Sequence, residues 1–196
     1  NDSDSNALIK EFPAGVGEYF VPTLGLMLNS FIVSVVLILI SYFAGMKLIG
    51  DIGITPDALS KAMESLSALK TFLMGLSEEQ LFKLNAWNLL LFGTMSVNYF
   101  LIMFYSPALF FKEKNPFKAF FLSLKDLFSK KFLENFGLYL MLFLSYFVLS
   151  VLSTLFGANI VIHFVFTLIN FYYLVFIAVL VFNYYYSKFV KIDRIA

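Results

Sequence analysis

Residues 160–186 read IVIHFVFTLINFYYLVFIAVLVFNYYY, without a single Lys, Arg, Asp or Glu. A helix needs about 20 residues to cross a hydrocarbon core of ~30 Å, and this stretch exceeds that. Three further stretches repeat the pattern: Thr23–Met46, Ala86–Phe111 and Asn135–Phe156, all free of formal charge. The expected fold is therefore all-α, a polytopic integral membrane helical bundle with four transmembrane helices, in one membrane domain covering residues 1–196.

Composition agrees. Hydrophobic residues make up 60% of the chain and charged residues 14%, where a soluble domain carries ~25% charged. Mean hydropathy is +0.84. The 26 Phe and 11 Tyr suit lipid contact and interfacial belts. With no cysteine, disulfides, thiolate nucleophiles and cysteine-based metal sites are excluded. Residues 1–21 lack a basic segment followed by an apolar one, so no signal peptide is expected there.

Charge sets the expected orientation. With four spans, the N-terminus, the 112–134 loop and the C-terminal tail share a side, carrying Lys10, six lysines between Lys112 and Lys131, then Lys188, Lys191 and Arg194. The other side has Lys47, Lys61, Lys70 and Lys83. Ten against four places both termini in the cytoplasm, in the cell membrane, by the positive-inside bias of short loops.

Both long connections are expected to be amphipathic interfacial helices. Thr55-Pro56-Asp57 supplies an N-cap hydroxyl, a proline suited to N1 and an acid for the first turn. Leu59, Met63, Leu66, Leu69 and Leu73 follow at helical spacing, predicting one helix over about 56–75. Ser77-Glu78-Glu79-Gln80 reads as a capping box opening the helix that becomes the second span, with Trp87 near its interfacial end. Asn115-Pro116 starts another helix, about 116–131, with Phe117, Phe120, Phe121, Leu124 and Phe128 on one side. Lys118, Lys125, Lys130 and the adjoining Lys131 suit contact with anionic lipid. Pro107 is expected to bend the end of the second span, and Gly157-Ala158-Asn159 to turn the third and fourth into an antiparallel hairpin.

Chemistry-bearing motifs are scarce. There is no phosphate loop, no His-Glu-x-x-His, no Gly-x-Ser-x-Gly and no acidic pair inside a span, so no enzyme, cofactor or metal site is expected. The sharpest polar feature is a stripe on the fourth span, His163, Thr167 and Asn170, with Thr94 and Asn98 at similar depth on the second. These five residues are either a polar mid-membrane pocket or ordinary hydrogen bonding between helices. Ser30, Ser34, Ser41 and Gly45 on the first span, and Ser150, Ser153 and Thr154 on the third, permit close helix approach.

The run Ser106-Pro107-Ala108-Leu109, Lys112 to Phe120, Ser123-Leu124-Lys125 and Lys130-Lys131-Phe132 resembles polytopic prokaryotic proteins related to the membrane domain of glycerophosphodiester phosphodiesterases. About 30 residues carry the resemblance, with Pro107, Pro116, Ala119 and Ser123 as structural positions. It implies a helical membrane module without catalytic residues of its own. The expected function is thus a non-enzymatic module that organises lipid or a membrane partner protein. The alternative is a small transporter or permease subunit using the polar pocket. Membrane lipids, with a membrane partner or further copies of the chain, are the expected partners; nucleic acid is not.

Overall fold

A computed structural model describes residues 2–156 and 160–191, with side chains at 17–156 and 161–191. The protein is all-α, with no strand among the described residues. Four helical segments are long and apolar enough to cross a membrane: Gly17–Leu48, Glu78–Phe111, Phe132–Phe156 and Val161–Val190. Helix α1 runs Asp2–Leu48, well beyond the apolar core of the first span. The turn expected at Gly157-Ala158-Asn159 and the tail residue Arg194 lie outside the described residues, as does the side chain of Lys10.

The chain divides into two compact units. One comprises Asn1–Phe31 with Tyr99–Ala196, the other Ile32–Asn98. In the second unit, small and polar side chains line the contact between α1 and α4 (Glu78–Ile102). Ser41 and Thr94 share a 2.6 Å hydrogen bond, and Asn98 Nδ2 donates to Ser34 Oγ at 2.9 Å. Gly45 faces the Trp87 ring so closely that a Cβ would sit 2.4 Å from it. Gly50, at φ +80°, ends α1 in the left-handed turn that glycine favours, and its carbonyl accepts from the Trp87 indole at 3.0 Å. Small residues on α1 therefore serve packing within the chain.

Capping chemistry sets the other helix starts. Thr55 Oγ1 accepts from Ala58 N ahead of α2 (Pro56–Ala62), and Ser77 and Gln80 close their reciprocal box ahead of α4. The expected helix over 56–75 is in fact two. Ser65, extended at φ −158°, breaks it and caps α3 (Leu66–Met74) by accepting from Ala68 N at 3.1 Å. A serine hydroxyl competes with the helical ladder for nearby N–H groups, and here it wins. Met63 and Leu66, placed on a common apolar face by spacing, are left exposed on either side of the break.

Pro107 acts as expected, through its missing donor. In an unbroken helix its ring would clash with the carbonyl four residues earlier; the helix stops at Ile102 and restarts as α5 (Tyr105–Phe111), with Pro107 in the first turn. Asn115 Oδ1 then accepts from Phe117 N and Lys118 N, with Pro116 at N1, to begin α6 (Pro116–Leu127). That helix ends a turn short of residue 131. After it, α7 (Phe132–Phe156) and α8 (Ile160–Tyr185) pair, with Phe156 stacked on Phe166 and Tyr146 on Tyr173. A π turn over Tyr186–Val190 closes α8 and buries Phe189 and Val190.

The tightest packing in the first unit lies where α5, α6 and the ends of α7 and α8 converge. Phe104, Ala108, Leu127, Val181 and Tyr185 form one cluster, and Tyr105, Leu109 and Ala119 another. Gly25 lets α1 pass against Pro116, and Asn29 Nδ2 donates to the Tyr105 hydroxyl at 3.3 Å.

Candidate functional site

The polar residues expected to form a mid-membrane pocket fall in different units. Thr94 and Asn98 belong to the second, buried against α1 as described above; Thr94 also donates to its own helix at Leu90 O, 2.8 Å. The Asn98 Oδ1 atom is buried with no hydrogen-bond partner among the described residues. On α8, Thr167 donates to the His163 carbonyl and Asn170 to that of Phe166, both at 2.9 Å, and His163 and Thr167 are exposed. These last bonds stay within one helix turn, so they join no second element. The α7 small residues behave alike, with Thr154 donating to Ser150 O.

Around Asp126, between α6 and the ends of α7 and α8, the structure builds a dense polar network. Asp126 Oδ2 accepts from the Tyr185 hydroxyl at 2.6 Å and from Lys112 Nζ at 3.3 Å. The Lys112 and Asp126 side chains are only 16% and 13% exposed. Lys112 also lies over the Tyr185 ring, 5.7 Å from its centroid. Both charges are thus taken largely out of solvent together, a state stable only when each is paired and hydrogen-bonded.

Asn135, fully buried at the start of α7, completes the network. Its Nδ2 donates to the carbonyls of Asp126 (3.1 Å) and Leu127 (2.8 Å), and its Oδ1 accepts from the Tyr184 hydroxyl at 3.0 Å. Those two carbonyls end α6, where that of Asp126 is otherwise met only at the helix end, by backbone donors including Ser129 N at 3.4 Å. One side chain therefore caps α6, begins α7 and ties both to α8. At the far side, Lys131 donates to the Lys188 carbonyl at 3.0 Å, and Lys188 pairs with Glu134 at 2.6 Å. A cation at the carbonyl end of α8 also suits the helix dipole. Of the lysines expected to meet lipid, Lys131 is thereby engaged in holding the fold.

Lys118, Lys125 and Lys130 remain exposed. The face of α6 packed into the protein carries Ala119, Ser123 and Leu127, at four-residue spacing. Phe117, Phe121 and Phe128 were grouped by spacing with Phe120 and Leu124, which are partly covered. They instead point outward and are 55%, 68% and 55% exposed. At 3.6 residues per turn this phenylalanine stripe lies beside the one carrying Lys118 and Lys125. Beyond the N-terminal end of α6, exposed Lys114 pairs with Glu18, which raises its pKa above the ordinary lysine value. Among the described residues, no group of three His, Asp or Glu side chains gathers as a metal site would require.

Comparison with protein families, curated proteins and solved structures gives no match to this chain.

Proposed function

We propose that this protein is a non-enzymatic integral membrane module that engages anionic lipid at its α6 end and can hold a membrane partner there. One observation carries the reading: α6 is docked through small residues while Phe117, Phe121 and Phe128 face outward beside Lys118 and Lys125. Exposed aromatic side chains next to lysines match a lipid surface, with rings entering the acyl boundary and ammonium groups meeting phosphate. The lysine bias supports a cytoplasmic location for this end and for both termini. The resemblance of residues 106–132 to membrane domains of glycerophosphodiester phosphodiesterases agrees with a module that lacks catalytic groups.

Native mass spectrometry in gentle detergent, with lipid identification, tests this directly. Wild-type protein should retain anionic phospholipid, and the triple variant Lys118→Glu, Lys125→Glu, Lys130→Glu should lose most of it. Equal retention would overturn the proposal. The buried, unpartnered Asn98 Oδ1 favours a second reading, a permease subunit with a polar path along α4. For that reading, Asn98→Leu should abolish solute flux in proteoliposomes while leaving lipid retention intact.

A further inference from the structure

The outer face of α8 turns polar over its last turns. Phe176, Leu180, Asn183 and Ser187 follow at spacings of four, three and four, so they share one face of the helix. A groove of about 640 Å³ runs along that face. The smaller side chains of Asn183 and Ser187 lie between the rings of Tyr184 and Tyr186. Both rings are held by the fold. Tyr184 stacks on Phe104 and donates to Asn135, and Tyr186 packs on Phe111 with centroids 5.3 Å apart.

A local irregularity brings a cation to the same groove. In an unbroken α-helix the residue seven beyond Asn183, which is Val190, would return to its face. The π turn over Tyr186–Val190 is closed by Lys191 N, which donates to the Tyr186 carbonyl at 2.9 Å, and holds one residue more than an α turn. Val190 is buried, and Lys191 lines the groove instead. Among the described residues Lys191 forms no ion pair and the Asn183 amide no hydrogen bond. Glu134, on α7, is already paired with Lys188.

Depth orders these groups. Lys191 follows directly on the apolar segment Val161–Val190. At ~1.5 Å per residue, Asn183 lies ~12 Å further in and Phe176 ~10 Å beyond that. A headgroup layer is only ~5–8 Å thick, so the exposed Asn183 amide sits beneath it, where a donor without an acceptor is costly. From the surface inward the groove offers an ammonium, an amide N–H and an apolar wall. A glycerophospholipid presents the matching series of phosphate, ester carbonyls and acyl chains. Lipids without a phosphate leave Lys191 unanswered, and soluble phosphates leave the apolar wall uncovered.

We propose that this groove is a site for one glycerophospholipid, with Lys191 on its phosphate, Asn183 donating to an ester carbonyl and an acyl chain along Leu180 and Phe176. The proposal shares with the α6 reading only the placement of the chain in a membrane, because the two surfaces have no residue in common.

The test is lipid binding to the full chain in detergent, read by native mass spectrometry, in the Lys118→Glu, Lys125→Glu, Lys130→Glu background that disables the α6 face. Titrated with phosphatidylglycerol, that chain should bind one molecule. Adding Asn183→Leu and Lys191→Gln, both at exposed positions, should weaken binding at least about tenfold, as loss of a hydrogen bond and a charge contact predicts. Ser187→Trp, which fills the groove, should do the same. Diacylglycerol keeps the esters and chains without the phosphate, and glycerol phosphate keeps the phosphate without the chains; each should bind far more weakly. If the α6 triple variant binds no phosphatidylglycerol, the site is overturned while the α6 reading stands. Unchanged affinity in the Asn183, Lys191 double variant or in Ser187→Trp would overturn it as well, as would either partial probe binding as tightly as phosphatidylglycerol. A dimer mass that disappears in the double variant would overturn it by making a second copy of the chain the occupant.

Discussion

At one end of the α7–α8 pair, Asn135, Leu142, Val181 and Tyr185 are buried against their neighbours; at the other, Leu155, Phe156, Val161 and Phe164 project outward, each more than half exposed. Both ends are built from the same apolar vocabulary. Hydrophobicity therefore does not decide which residues are inside, because lipid tails are as favourable to Leu or Phe as a protein core is. The buried end has two things the exposed end lacks. Small side chains, Ala108, Ala119 and Ser123, let helices approach, and an amide and a carboxylate tie their ends together. Toward the exposed end Thr167 and Asn170 bond only to their own helix, and Ser145, midway along α7, reaches the Tyr173 hydroxyl of α8.

The contrast can be broken most sharply at Asn135. Replacing it with Leu keeps the branching but adds volume at a fully buried position. It also leaves the Leu127 carbonyl and the Tyr184 hydroxyl without this partner and the Asp126 carbonyl with backbone donors alone, for an expected loss on the order of 3 kcal/mol. Reversible unfolding in mixed micelles would measure it, and a loss below about 1 kcal/mol would remove the network from the account of stability. Ala119→Leu comes next. Overpacking a fully buried position should cost about 2 kcal/mol in the same assay and loosen α6 from α5. At the exposed end, Phe164→Ala and Thr167→Val should each change stability by less than about 0.5 kcal/mol. A larger loss there would mean that the chain itself, rather than lipid, covers this region.

The smallest effect concerns Lys114. Its folded pKa is raised by Glu18, so whatever stability the pair contributes is fully present below the unfolded value of about 10.5 and is lost as pH rises through the folded value. Since both side chains are solvent-exposed, Lys114→Met should match wild type in thermal unfolding between about pH 7 and 9. A difference that grows within that window would contradict the assignment.

Much of the local structure was legible from the residues. Thr55, Ser77 and Asn115 cap the helices that follow them because an N-cap needs only a side-chain oxygen within three residues of a free N–H. Pro107 breaks the second span for an equally local reason. The division at Ser65 was missed because a serine on the polar side of a helix and a serine capping a new one look alike in sequence. The role of Asp126 was not legible for a different reason. Its partners Lys112 and Tyr185 lie 14 and 59 residues away, and nothing local signals either contact.

The sequence by itself determined the solvent, the four spans and most helix starts. Those follow from the length of charge-free runs and from caps that act within one turn. Only the tertiary structure decided which face of α6 is hidden, that Asn135 holds three helices together, and that a π turn brings Lys191 to a groove on α8. The physical reason is that a helix in lipid can be apolar all round, so its sequence no longer marks an inside. Close approach of small residues and the satisfaction of stranded polar groups then select the contacts, and both depend on residues far apart in the chain.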